Sequence, residues 1–244
     1  GRTMHQRFFR ALTLLALVWV STTTAFAIPT LQLNIGGGSY NSTTQTIVAG
    51  SDPFRLFAYL IPDSDSLANS NYFLSMALTP RVGPAAGNYG TVKVNGNTVN
   101  VTADMTYGTP PAGALDLQSH GIFQTFYKEY GFNFVGDSQT NPFNVQDFPG
   151  RVPSAGAGMY YHSWDIDTTG LDSHYEVHFD LYQIGQVTHG RNTSTDIVEF
   201  APFSHDAESG PGDNVTTHDV PEPSTLMLFG TGFVALGAAM RRRQ

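Results

Sequence analysis

The densest run of chemically capable residues in this 244-residue chain is His174-Tyr175-Glu176-Val177-His178-Phe179-Asp180-Leu181. Side chains alternate across a β-strand, so His174, Glu176, His178 and Asp180 share one face. Tyr175, Val177, Phe179 and Leu181 share the other, which faces a core. Imidazole nitrogens and carboxylate oxygens together suit zinc, manganese or iron, so a strand carrying His174 and His178 begins a ligand set for a metal-dependent hydrolase. The same pattern also describes the solvated outer face of an antiparallel strand. A complete set needs ligands from a second strand, and no second histidine pair stands out.

Acidic clusters offer a harder ligand set. Asp63-Ser64-Asp65, Asp165-Ile166-Asp167 with Asp172, and Asp206-Ala207-Glu208 with Asp213 all place oxygens at short spacing. Asp165 and Asp167 read as the best loop for one structural Ca2+ ion, the one cofactor the sequence suggests. Asx-rich turns between strands produce the same composition. Neither an EF-hand loop nor an aspartate-glycine nonapeptide repeat is present.

Tyr160, Tyr161, His162 and Trp164 follow the glycine-rich stretch 155–158 and form a third candidate, an aromatic platform for carbohydrate. The alternative is a buried plug at a strand end, since Trp and Tyr are mostly buried residues. Nucleophilic catalysis finds no support: there is no Gly-x-Ser-x-Gly elbow and no cysteine. Gly36-Gly37-Gly38 lacks the lysine and the helix of a phosphate loop. The expectation is a protein that is not an enzyme.

The elements that must position these residues read as strands. Leu31-Gln32-Leu33-Asn34-Ile35 alternates apolar and polar, and 46–49, 54–61 and 72–79 are apolar runs bounded by Gly, Pro and Asp. Asn95-Gly96 between Thr91-Val92-Lys93-Val94 and Asn97-Thr98-Val99-Asn100-Val101 is the signature of a two-residue type I′ hairpin. Aromatic-rich 122–127 and 132–135 read as two strands separated by Lys128-Glu129-Tyr130-Gly131. Residues 174–184 form the longest alternating stretch, and 195–200 a last strand. The fold class expected is all-β, an antiparallel β-sandwich of jelly-roll-like or immunoglobulin-like kind over 28–203. Residues 204–220, rich in Ser, Asp, Gly, Thr and Pro, read as a flexible linker.

Both ends carry address signals. Arg7 and Arg10, the apolar stretch 11–20 and Ala25-Phe26-Ala27 have the order of a signal peptide over 1–27, with Ala25 and Ala27 at the cleavage site and Met4 as the translation start. At the other end, Pro221-Glu222-Pro223 precedes an apolar helix over 225–240 and then Arg241, Arg242 and Arg243. Sixteen helical residues span about 24 Å, short of a bilayer core of about 30 Å, a gap that snorkelling flanks can close. The arginines favour a cytoplasmic C-terminus. This arrangement, 221–244, resembles the PEP-CTERM sorting signal of Gram-negative bacteria. That resemblance implies signal peptidase and exosortase as processing partners, a transient inner-membrane stage through 225–240, and release to the cell surface or extracellular matrix. A plain, unprocessed membrane anchor is the alternative.

Between the two signals lie six of the twelve basic residues and nineteen of the twenty acids. So acidic a domain repels nucleic acid and anionic lipid, and suits a hydrated polymer matrix held through cations. Without cysteine it has no disulfides and depends on its own core. His120-Gly121-Ile122-Phe123, the stretch 126–132, Ala201-Pro202-Phe203-Ser204-His205-Asp206-Ala207 and the opening 31–40 resemble the choice-of-anchor exoproteins, most closely the N-type. That family implies surface display and supplies no catalytic site. The reading as a whole is a non-catalytic surface protein contributing to biofilm, extracellular matrix or exopolysaccharide assembly. Carbohydrate binding through Tyr160, Tyr161 and Trp164 and metal-dependent hydrolysis are the alternatives.

Overall fold

Apolar–polar alternation along short strands yields two faces per strand, and the apolar faces bury one another only if two sheets stack. That is the arrangement in the computed structural model, which describes residues 28–85, 87–111 and 123–210. Among these residues fourteen strands form two sheets, and the fold is all-β as expected. The signal peptide with Ala25 and Ala27, Ile122, most of the linker, and the tail from Pro221 to Arg243 lie outside the described residues.

The first sheet runs β1 (Leu31–Ile35), β4 (Phe54–Leu60), β11 (Met159–Asp167), β6 (Thr91–Val94) and β7 (Asn97–Asn100), with β10 (Gln139–Thr140) also on β11. The second runs β2 (Ser39–Asn41), β3 (Thr46–Val48), β14 (Ala207–Glu208), β12 (Glu176–His189), β5 (Asn71–Thr79), β9 (Thr125–Phe132) and β8 (Thr106–Gly108), with β13 (Asn192–Phe200) also on β12. All pairings are antiparallel except β14 with β3.

One apolar core joins the sheets. Leu31, Leu33 and Ile35 of β1 and Leu56, Ala58 and Leu60 of β4 point into it across matched register. Val177, Phe179 and Leu181 of β12 come from the other side, as the alternation requires. Phe179 meets Phe54 edge-on with ring centroids 6.3 Å apart, one aromatic from each sheet. The β6–β7 hairpin turns at Asn95 and Gly96 with φ of 51° and 78°, as a type I′ turn requires. A single helical turn, α1 (Val101–Asp104), follows β7, capped by Asn100, whose side chain accepts from the Thr102 and Ala103 N–H groups.

Three elements differ from the sequence reading. Residues 125–132 form one continuous strand instead of two segments broken at Lys128-Glu129-Tyr130-Gly131. The charged residues are tolerated because Lys128 Nζ reaches the Asp104 carbonyl and Glu129 accepts from the Tyr182 hydroxyl. Gly131 sits under the Phe73 ring, where an added Cβ would lie 3.3 Å from an aromatic carbon. Second, Asp165-Ile166-Asp167 is the end of strand β11, not a loop. Third, Ser204–Glu208, read from composition as linker, contributes a 3-10 turn (Phe203–His205) and β14, with His205, Asp206, Ala207 and Glu208 all buried. Among the described residues no helix is long and apolar enough to cross a membrane; the helix expected over 225–240 lies outside them.

The outward face of β1 is also buried. Gln32 Nε2 donates to the Phe143 carbonyl while its Oε1 accepts from the Val145 N–H. Asn34 Nδ2 donates to the Arg151 carbonyl and its Oδ1 accepts from the Gly150 N–H. Two amides thus clamp residues 143–151 over the first sheet, with the Arg151 guanidinium 4.6 Å above the Phe143 ring.

Candidate functional site

The second sheet places an unusual density of ionisable groups on the face turned away from the core. Glu176, His178 and Asp180 alternate along β12, opposite Thr79, Ala77 and Ser75 of β5. The antiparallel pairing of β12 with β14 sets His178 directly across from Glu208. Asp206 precedes β14 by one residue, and at period two it shares the face of Glu208. One histidine therefore lies among four carboxylates.

Three of these groups converge. His178 Nε2 is 3.4 Å from Asp180 Oδ1 and 3.9 Å from Asp206 Oδ2. One ligand atom from each residue falls within 4.8 Å of the other two. The Asp180 and Asp206 side chains are 3% and 0% exposed, so this cluster is not the solvated strand face that the alternation also allowed. Burial works against a charge on His178, but Asp180 and then Asp206 outweigh it and hold the imidazole pKa well above its ordinary value. His178 and Asp180 lie two residues apart on β12, and Asp206 leads into the paired β14, so the geometry is set by strand alternation and sheet register.

Beside the cluster, burial pushes the Glu176 carboxyl up to about 7, reinforced by the nearby charge of Glu208. Glu208 Oε1 accepts from Thr44 Oγ1 at 2.9 Å and from Thr46 Oγ1 at 2.7 Å. Both glutamates line a groove of about 630 Å³ whose far wall includes Ser39, Tyr40 and Asn41. The groove is open to solvent, whereas the His178 cluster is enclosed.

The remaining candidates from the sequence are placed apart from this cluster. His174 lies in the turn before β12, exposed, with Nδ1 2.7 Å from Asp172 Oδ1. Asp165 and Asp167 point outward from the first sheet, and each meets a cation across the strand pair. Arg55 Nε lies 2.9 Å from Asp165, and Lys93 Nζ lies 2.7 Å from Asp167, which holds that carboxyl at about 2 with help from Thr169. Trp164 is 4% exposed and stands edge-on to Phe132 of the other sheet at 4.9 Å. It is a bridge between the sheets rather than a solvent-facing platform, while Tyr160 and Tyr161 are half-buried.

Asp206 is the member of this cluster that reading the His174–Leu181 stretch by itself missed. Its signal was available: Asp206-Ala207-Glu208 alternates acid, small apolar, acid, a pattern that fits a short strand as well as an acidic loop. Just before it, His205 is buried, with Nε2 2.9 Å from Asn144 Oδ1 and Nδ1 2.9 Å from Ser204 Oγ. Asn144 Oδ1 accepts, so Nε2 carries the proton and Nδ1 accepts from the serine in the neutral ring. Desolvation lowers the His205 pKa to about 4, only partly offset by Asp147.

A base whose folded pKa lies below its unfolded value binds fewer protons folded than unfolded, so its stabilising effect is full above about pH 6.5 and declines toward pH 4. The stability advantage of the wild type over a His205→Gln variant should therefore shrink by on the order of 2–3 kcal/mol between pH 7 and pH 4. Urea unfolding of both proteins across that range measures it. A gap that does not change with pH would show that His205 does not titrate in this window.

No curated protein and no solved structure matches the chain. No homologue supports the resemblance of residues 31–207 to the choice-of-anchor N-type exoproteins. Residues 219–243 match the PEP-CTERM protein-sorting motif, which implies an exported protein of a Gram-negative bacterium that transits the membrane and is processed by exosortase.

Proposed function

We propose that this chain is a non-catalytic surface protein, delivered by signal peptidase and exosortase, whose β domain contributes to extracellular matrix, biofilm or exopolysaccharide assembly. The observation that carries the reading is the sorting motif at residues 219–243, placed behind an all-β domain. An excess of nineteen acids over six basic residues between the two address signals supports it, because such a domain associates with anionic polysaccharide through shared cations and stays soluble beside it. The N-type choice-of-anchor resemblance agrees with surface display. The inner membrane is then a transient station held through residues 225–240.

Mass spectrometry of the native protein tests the sorting step. In the wild-type organism the product released from cells should end near Pro221-Glu222-Pro223 and lack residues 225–243. In a strain without exosortase the chain should stay in the membrane fraction with its tail intact. A released product that still carries Arg241, Arg242 and Arg243 would sink the sorting reading. Loss of matrix retention or biofilm mass on deleting the gene tests the second part of the proposal, and an unchanged matrix would remove it.

A further inference from the structure

We propose that the open groove along β2, β3 and β14 is a binding site for a neutral saccharide. The proposal deepens the reading of this protein as a partner of extracellular polysaccharide, and rests on it. The groove, of about 630 Å³, lies on the face of the second sheet turned away from the core. Strand register fixes that placement. Ser39 stands opposite Val48 and Asn41 opposite Thr46, while Val48 in turn pairs with Glu208, so these side chains share one face. Tyr40 and Ile47 alternate to the other face, where Ile47 enters the core.

Polar groups on that face are fixed by the fold and still have hydrogen-bonding capacity. Glu208 is 5% exposed, and the hydroxyls of Thr44 and Thr46 both approach its Oε1, at 2.9 and 2.7 Å. Its Oε2 takes no hydrogen bond among the described residues and keeps contact with solvent. Asn41 presents the opposite polarity. Its Oδ1 accepts from the backbone N–H groups of Thr43 at 2.9 Å and Thr44 at 3.4 Å. Those contacts assign the orientation of the amide and leave Nδ2 with two protons to donate. The exposed Ser39 hydroxyl does either.

An acceptor beside donors selects the ligand. A metal ion suits the carboxylate but is repelled by the amide protons. An anionic group suits the amide but is repelled by Glu208 and Glu176, which both line the groove. A sugar hydroxyl donates and accepts, so neighbouring hydroxyls of one ring satisfy a carboxylate oxygen and an amide NH2 together. Val48 and Ala49 add a small apolar floor for the ring C–H groups. A groove of this size with few placed polar groups holds about one or two sugar rings.

The full chain, purified in a zwitterionic detergent without a sugar headgroup, is titrated calorimetrically with cellotriose, maltotriose and mannotriose, and separately with trimannuronate and Ca2+. One equivalent of a neutral trisaccharide should bind with millimolar affinity or better. Glu208→Gln, and Asn41→Asp, which keeps the Oδ1 contacts and removes the NH2 donor, should each weaken that binding about tenfold or more. Asp165→Asn, on the other sheet, should leave it unchanged. Failure of all three neutral sugars to bind overturns the proposal, as does binding that both groove variants retain or uptake of trimannuronate or Ca2+ alone. If Glu208→Gln does not fold, Asn41→Asp and Ser39→Ala decide by the same measurement. Deleting the gene separates this site from the matrix role. Neutral sugar bound in the groove with an unchanged matrix keeps the site and removes the role, and a silent groove with a lost matrix does the reverse.

Discussion

Replacing Phe179 with alanine should destabilise the protein by about 3–5 kcal/mol, the range for removing a fully buried aromatic from a well-packed interior. Phe179 has no solvent exposure and lies in mid-strand on β12, the longest strand of the second sheet. Its ring meets Phe54 edge-on at 6.3 Å, and Phe54 belongs to the first sheet. The substitution therefore opens a void at the seam where the sheets meet, rather than within one of them. Strands on both sides are held in register by their ladders, so the walls cannot collapse into the space, and the cavity cost adds to the lost transfer energy. Denaturant unfolding gives the value, and Phe179→Leu, which keeps most of the volume, should cost less than half as much. A loss below about 1.5 kcal/mol for the alanine variant would mean that the seam is loosely packed.

Gln32→Leu should cost about 2–4 kcal/mol, because it strands two buried backbone groups at once. The Gln32 amide is the partner of both the Phe143 carbonyl, at 3.1 Å, and the Val145 N–H, at 2.9 Å. Leucine fills most of the space but can neither donate nor accept, so both groups lose their partner while still covered. Asn34 continues to hold Gly150 and Arg151, so the far end of the clamp survives. The effect should therefore be local as well as global. Amide hydrogen exchange over residues 143–148 should accelerate well beyond that at residues 150–151, and total stability should fall. Equal protection along the whole segment would show that the clamp does not act through Gln32.

Much of the fold was legible because it is encoded locally. Asn95-Gly96 between β-branched arms specifies a hairpin through the backbone freedom of two residues, and both adopt the positive φ that the turn requires. Leu31, Leu33 and Ile35, and likewise Val177, Phe179 and Leu181, could be assigned to the core from period-two spacing alone. The strand β11 was harder to see. Tyr160, Tyr161 and Trp164 looked like a cluster and Asp165 and Asp167 like a loop. Their strand character comes from pairing with β4, which lies about a hundred residues earlier in the chain.

The candidate site divides the same way. Alternation correctly placed Glu176, His178 and Asp180 on one face, but period two says only that side chains share a face, not what covers it. Asp206 reaches His178 only because β14 docks on β12, a long-range pairing with no local signature. Register likewise brought Arg55 to Asp165 and Lys93 to Asp167, turning two candidate metal ligands into ion pairs. Gln32 and Asn34 are a parallel case: the polar positions of an alternating strand, they are buried clamps on residues 143–151.

By itself, then, the amino-acid order determined the C-terminal sorting motif, the acidic balance, the β class and the inward-facing residues, since each depends on composition or on spacing within one segment. Tertiary structure decided which polar residues are buried and with whom. That depends on strand pairing and on overlying segments, and a buried carboxylate differs from an exposed one only in the groups that distant parts of the chain bring to it.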